Sequence, residues 1–441
     1  MSFSILQPTF DPDLRQAIFA FEIAGHQFEE QLVFPEGFDK DAAFSDEFIA
    51  LLNLTACALG TSYYKLLAPL NINIPDFPLS DLQQELVLDL YENGLGEFYA
   101  TNNLARFGKL RISVQTAALK KTNPPKPKSG ARSLLLVGGG KDSNVSALLL
   151  AQNHMDFTPF AVNPKGPIST SIDAMDKTPL YIQRHLDKHM IALSKQAGYY
   201  NGHVPSTAIN SLIAALSACL FGYQNIILSN ERSASEGNVI FNGRTVNHQH
   251  SKSYRFEQLL AKTLSQTTNG RRSYFSLLRP FSELKIAKLF ARSNIFDTRF
   301  SSCNTNFRQG KNSSIHWCNA CPKCHFVYLM FAPFMPEQRL KNIFNASPLD
   351  NHKNLSSFKN LTGLGEQKPW ECVGETIEAA AALYSLRQMP HFSKTQIVQS
   401  LCPELRAQYG EKKLIAAFAK LLKDSDEHIV PSQFLPALAT P

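Results

Sequence analysis

No apolar run in this 441-residue chain reaches the roughly 18 residues that a membrane span needs. No basic run is long enough to argue for nucleic acid, and the net charge of +7 is modest and spread along the chain. That mild positive balance suits a small anionic substrate about equally well. Met1 to Gln16 carries Pro8, Asp11, Pro12 and Asp13, which excludes the apolar core of a signal peptide. Cysteine is scarce at eight residues, and three of them crowd into Cys318–Cys324. Such a set excludes a secreted disulfide scaffold and points to metal chemistry in a reducing compartment. These absences predict a cytoplasmic protein with no membrane and no nucleic-acid partner. The length allows two or three domains.

What is present is organised around Ser133-Leu-Leu-Leu-Val-Gly-Gly-Gly-Lys-Asp-Ser143. Leu134 to Val137 reads as a buried strand, Gly138 to Gly140 as a turn, and Asp142 to about Asn153 as a helix. Three glycines before a helix leave backbone N–H groups free to converge on an anion, most often a phosphate. Two common phosphate loops are missing. Lys141 is followed by Asp142, and Leu135 stands where a Walker A loop needs its first glycine. Ser143 stands where a dinucleotide fingerprint needs its last one. The stretch resembles the PP-loop, Ser-Gly-Gly-x-Asp-Ser, of the ATP pyrophosphatase superfamily, with Gly138 in place of the first serine. That resemblance implies cleavage of ATP between its α and β phosphates and adenylation of a substrate. It implies that Gly138, Gly139, Gly140, Lys141 and Ser143 hold the pyrophosphate end and that Asp142 helps to hold Mg²⁺.

The chain divides at Thr122–Gly130, where three prolines, lysines and a glycine make a linker. Residues 1–121 read as an α+β domain. Ile18–Ile23 alternates as a strand, and Gln31–Phe34 pairs with it across a polar turn at Gly25–Glu30. Phe48–Leu59 has helical spacing and runs into a compact segment, Gly60-Thr-Ser-Tyr-Tyr-Lys65. A second helix covers Leu79–Glu92. Residues 131–335 alternate strands and helices, which predicts a doubly wound parallel sheet. Thr158–Val162 is a strand, Leu180–Gln196 a helix, and Tyr199–Val204 a short strand. Ser206 caps a helix stopped by Gly222, and Asn225–Ser229 is a buried strand. Helices follow at Arg255–Ser265 and Ser282–Arg292, and residues 336–441 are mainly helical.

Ligands of such sheets sit at the carboxyl ends of the strands. Three segments converge there: Gly138–Ser143, Asn201–His203 and Asn230–Asn238. Within the last, Glu231 would join Asp142 at Mg²⁺ and Arg232 would meet a phosphate or carboxylate in bidentate fashion. Val246–Ser253 adds His248, His250 and Lys252, each single histidine being more often structural than catalytic. Cys303, Cys318, Cys321 and Cys324 have the spacing of a closed tetrahedral zinc site, which is structural because no position is open to water. A similar arrangement binds zinc in the cyano-deazaguanine synthases, another PP-loop family. An iron–sulfur cluster or unliganded thiols are the alternatives.

Several segments together resemble one family, the MurL epimerases acting on UDP-N-acetylmuramoyl-L-alanyl-L-glutamate in bacterial peptidoglycan synthesis. They are Gly60–Lys65, Gly94-Leu-Gly-Glu97, Val137–Ser143, Asn201–Pro205, Thr207–Asn210, Ser229–Asn238, Val246–Gln249, the cysteine cluster and Lys368-Pro-Trp-Glu-Cys-Val-Gly-Glu375. The resemblance spans residues 60 to 375 and implies an ATP- and Mg²⁺-dependent inversion of the terminal L-glutamate. It implies a PP-loop fold of the adenine nucleotide alpha hydrolase type. It transfers no catalytic base. Cys57 and Cys219 lie on apolar helical faces and Cys402 lies outside the matching segments, which leaves Cys372 and His203 as candidates for proton transfer. A tRNA- or nucleobase-modifying PP-loop enzyme is the alternative that the cysteines motivate. A nucleotide-binding module without catalysis is the alternative that Gly138 motivates.

Overall fold

The computed structural model describes residues 1–117, 131–307, 315–366, 368–371 and 373–439. The linker proposed at 122–130 lies outside them, as does Cys372.

The strands are β1 (Ser2–Ile5), β2 (Thr9–Asp11), β3 (Gln16–Ile23), β4 (His26–Val33), β5 (Asn71–Leu79), β6 (Arg111–Thr116), β7 (Ser133–Leu136), β8 (Thr158–Val162), β9 (Leu180–His185), β10 (Asn225–Leu228), β11 (Val239–Phe241), β12 (Arg244–Val246) and β13 (Ser273–Ser276). All but β11 and β12 form one eleven-stranded sheet in the order β13-β10-β7-β8-β9-β4-β3-β1-β5-β6, with β2 on β3. The five strands from β13 to β9 are parallel. Beside them, β4 and β3 run antiparallel, and β1, β5 and β6 form a parallel edge. The sheet is therefore mixed and mostly parallel.

In β3, Ala17, Phe19, Phe21 and Ile23 are buried and alternate with half-buried neighbours, which is the pattern of a strand with one covered face. Its hairpin to β4 turns on Ala24 and Gly25, both at positive φ, so β4 begins at His26 rather than at Gln31. Helix α1 (Asp46–Tyr64) covers this face, and Ser45 accepts the Phe48 N–H at its start. It runs straight through Gly60–Tyr64, where the sequence suggested a separate segment. Gly60 does not stop the helix. It makes room, because a Cβ there would lie 2.5 Å from the Tyr91 hydroxyl and 3.3 Å from the rings of Phe3 and Phe21.

The second half corrects three expectations. Leu180–Gln196 is not one helix. Leu180 and Ile182 are buried at period 2, and Leu180–His185 is β9, hydrogen-bonded between β8 and β4. A short helix, Lys188–Leu193, follows, with Asp187 accepting from Met190 N–H. Tyr199–Val204 forms no strand, and its polar groups bond to distant parts of the chain instead. Lys65 Nζ donates to Asn201 Oδ1 at 2.9 Å and to the Gly202 carbonyl at 3.1 Å. The helix Ser206–Phe221 ends at Gly222 with φ +73 as expected, but its N-cap is Pro205 and Ser206 is its first helical residue. The described residues beyond 336 are mainly helical, with Thr376–Ser385, Gln396–Tyr409 and Glu411–Leu421 as the longest runs. No helix among the described residues is long and apolar enough to cross a membrane.

The strand order places the site. From β7 the chain moves one way to β8 and β9, then returns to β10 on the other flank of β7. That reversal opens a crevice at the carboxyl ends of β7 and β10.

Gly60→Ala should destabilise the fold by about 1–3 kcal/mol, because the new methyl must displace the buried Tyr91, whose hydroxyl bonds the Cys57 carbonyl at 3.0 Å. Denaturant unfolding checks this, and an unchanged midpoint would contradict the close packing.

Candidate active site

β7 runs through Gly138, Gly139 and Gly140 into helix Lys141–Gln152. Gly139 has φ +76, and a Cβ there would sit 2.6 Å from Ile168 N and 2.7 Å from Pro167 C. Only glycine fits. Gly140 is the N-cap and has no side chain to satisfy the first amides of the helix, which stay available to an anion. Gly138, Gly140, Asp142 and Ser143 line a cleft of about 500 Å³. Asn230 lines it from the end of β10, buried, with its amide Nδ2 unpartnered among the described residues. Free helix amides and an orphaned amide donor on one cleft fit a polyanion such as a nucleotide phosphate chain.

Lys141 does not line this cleft. It is 1% exposed and pairs with Asp142 and with Glu283, the first residue of helix Glu283–Phe290. Burial works against its charge, yet Asp142, Glu283 and Glu231 together hold its pKa above the ordinary lysine value. Burial pushes the Glu283 carboxyl up, opposed by Lys141. Glu231 and Asp142 both act on the Lys141 charge, and of the two only Asp142 lines the cleft. Arg232 is not among the cleft-lining residues. It starts a 3-10 turn, its N–H bonds the Phe281 carbonyl at 3.0 Å, and its charge acts on Glu375.

Two loops form the opposite wall. Arg279, 1% exposed, donates to Glu257 Oε2 at 2.9 and 2.6 Å, to the Glu231 carbonyl at 2.5 Å and to the Lys252 carbonyl at 2.6 Å. Asn238 Oδ1 accepts the His248 N–H at 2.8 Å, and its Nδ2 donates to the Pro369 carbonyl at 3.0 Å. This network brings His248, Lys252, Trp370 and Glu371 to the cleft. Burial raises the Glu371 pKa, opposed by the Lys323 N–H that its Oε2 accepts at 2.8 Å.

His203 is not among the residues that line this cleft. Its Nδ1 lies 3.1 Å from Glu97 Oε2, the same oxygen that accepts from His248 Nδ1. The two imidazole centroids are 4.8 Å apart. Burial, reinforced by His248, Lys65 and Lys252 and opposed by Glu97, lowers the His203 pKa to about 4. Sequence reasoning gave Glu97 no role and His248 little weight. Their signal was that both stand in segments that carry the family resemblance, Gly94–Glu97 and Val246–Gln249. His250, by contrast, bonds Asp89 at 2.6 Å and does not line the cleft.

Cys303, Cys318, Cys321 and Cys324 converge, with all four sulfurs within 4.8 Å of one another. Cys318 and Cys321 Sγ lie 3.7 and 3.4 Å from Cys324 Sγ. A tetrahedral zinc with Zn–S of about 2.3 Å places sulfurs about 3.8 Å apart. The donor set fits that ion. The cysteine loop also reaches the cleft: Ser301 N–H bonds the Gly139 carbonyl at 3.2 Å, and Ser302, Asn304 and Lys323 line the wall.

The chain matches the models of the MurL N-terminal domain over residues 1–277 and the MurL C-terminal domain over 299–415. Three relatives carry the name UDP-N-acetyl-alpha-D-muramoyl-L-alanyl-L-glutamate epimerase. The Micromonospora sp. protein is 35% identical, covering 98% of this chain and 97% of its own. The Salinispora tropica protein is 37% identical over 91% and 88%. The Xanthomonas oryzae pv. oryzae protein is 36% identical over 89% and 85%. With both domain models matched in order and relatives aligned nearly end to end, the chain belongs to the MurL family of epimerases.

Proposed function

We propose that this enzyme inverts the terminal L-glutamate of UDP-N-acetylmuramoyl-L-alanyl-L-glutamate to D-glutamate, consuming ATP, in cytoplasmic synthesis of peptidoglycan precursors. The observation that carries the ATP dependence is the glycine loop, lined up with the orphaned Asn230 on one cleft at the sheet's reversal point. We read it as a PP-loop. ATP is a co-substrate, and the glutamate α-carboxylate is adenylated with release of pyrophosphate.

The chemistry requires that activation. Removing the Cα proton beside a carboxylate would build a second negative charge next to the first. As an acyl-adenylate the group is no longer anionic, and its acyl oxygen takes the enolate charge against positioned donors. One group removes the proton, another delivers one to the opposite face, and water then releases AMP. Gly138 to Ser143 hold the phosphates through backbone amides, and Asn230 donates to the same region. Mg²⁺ held by Asp142 and Glu231 would offset phosphate charge. Cys372 follows two cleft-lining residues, Trp370 and Glu371, and remains a candidate for one proton transfer. Zinc at the four cysteines would be structural, fixing the loop that carries Ser302, Asn304 and Lys323.

Incubation with ATP and the L-Glu substrate should yield AMP and, on chiral analysis, D-glutamate. Asp142→Asn should remove both while the protein stays folded. AMP formation that depends on tRNA instead, or full activity in the variant, would overturn the reading.

Cys372→Ala should still form AMP but fail to exchange Cα–H for solvent deuterium. Normal exchange would show that Cys372 is not the base that removes the proton from L-glutamate.

Purified protein should carry about one zinc per chain. Cys321→Ser should lose it and lower the unfolding temperature, because metal binding at a closed site is coupled to folding. Iron in a brown protein, or no metal, would reject zinc.

A further inference from the structure

Epimerisation needs a proton-transfer group on the cleft surface with one nitrogen or oxygen kept basic. Among the histidines near the glycine loop, His248 is the one that lines the cleft. Glu97 stands behind it. A carboxylate oxygen can only accept, so the bond from His248 Nδ1 to Glu97 Oε2 puts a ring proton on Nδ1, and in the neutral imidazole the lone pair is then on Nε2. The ring is held at its backbone as well, since the His248 N–H donates to Asn238 Oδ1 at 2.8 Å. Asn238 is itself tied to Pro369, beside Trp370 and Glu371 on the same cleft. His203 meets the same Glu97 oxygen but does not line the cleft. A general base oriented by a carboxylate on its far nitrogen is the arrangement that proton abstraction uses.

We propose that His248 is a catalytic proton-transfer group for Cα of the terminal glutamate and that Glu97 is the residue that positions it. This rests on the epimerase reading above. In the forward direction His248 Nε2 takes the Cα proton, and the C–H electron pair passes into the enolate of the activated acyl group. A proton from a second group closes the D-centre, and His248 returns its own proton to solvent. In the reverse direction His248 supplies that proton. His203, the sequence candidate, becomes a neighbour that shares Glu97.

Two half-reactions separate this proposal from the reading beneath it. Substrate-dependent exchange of labelled pyrophosphate into ATP reports adenylation, and deuterium uptake at Cα reports proton transfer. His248→Gln should retain pyrophosphate exchange and lose deuterium uptake by about 100-fold or more. Glu97→Gln should lower kcat for uptake by a smaller factor with KM unchanged. Imidazole added to His248→Ala should restore part of the uptake, which a structural role would not allow. Deuterium uptake at the wild-type rate in His248→Gln would overturn the proposal, as would loss of both half-reactions together, which would make His248 a binding residue. A second metal ion per chain that disappears with His248→Gln or Glu97→Gln would also overturn it, because Glu97, His203 and His248 have ligand atoms within 4.8 Å of one another. Should His248→Gln fail to fold, Glu97→Gln and its uptake rate decide. If wild-type protein shows no pyrophosphate exchange, the adenylation reading fails instead.

Discussion

A guanidinium taken out of water must have its donors satisfied, and at Arg279 that requirement shapes the site. Glu257 supplies the counter-charge and also accepts the Ser276 N–H at the end of β13. The remaining donors reach the carbonyls of Glu231 and Lys252, which belong to two separate loops. One buried cation therefore sets both loops against the sheet. Removing it would leave Glu257 as an uncompensated buried charge and two carbonyls without donors, a loss in the range of about 3–5 kcal/mol for a broken buried pair.

A second buried charge system lies beneath the glycine loop. Lys141, Asp142, Glu283 and Glu231 form one cluster, and Glu378 adjoins it, its pKa raised to about 8 by burial and by Glu283. Lys141 ties the phosphate-loop helix to helix Glu283–Phe290. The loop's own ammonium is thus neutralised internally by carboxylates. The cysteine loop closes the same region from the third side, through Ser301 on the Gly139 carbonyl.

Much of this was legible in the sequence where signals are local. The apolar run into three glycines, the strands at Thr158–Val162 and Asn225–Leu228 and the helix stopped by Gly222 rest on near-neighbour pattern. The cysteine spacing was legible for the same reason. The misreadings share a cause. β9 is held by partners 20 and about 150 residues away, and only two of its six side chains are buried, so its periodicity was too short to oppose a helix. Gly60–Lys65 read as a separate segment because the reason for Gly60, the approach of Tyr91, is tertiary. Glu97 and His248 are 151 residues apart in sequence, and nothing local announces their bond. Lys141 carried the motif's usual expectation, and only its three carboxylate neighbours show where its charge goes.

The central claim is that a carboxylate of the glutamate is joined to AMP before its Cα proton moves. The direct measurement uses substrate labelled with ¹⁸O in the α-carboxylate, followed by mass analysis of the AMP formed in a single turnover. The account predicts AMP carrying one ¹⁸O, because water attacks the acyl carbon and the bridging oxygen leaves with the phosphoryl group. Unlabelled AMP alongside D-glutamate that keeps both labels would contradict it.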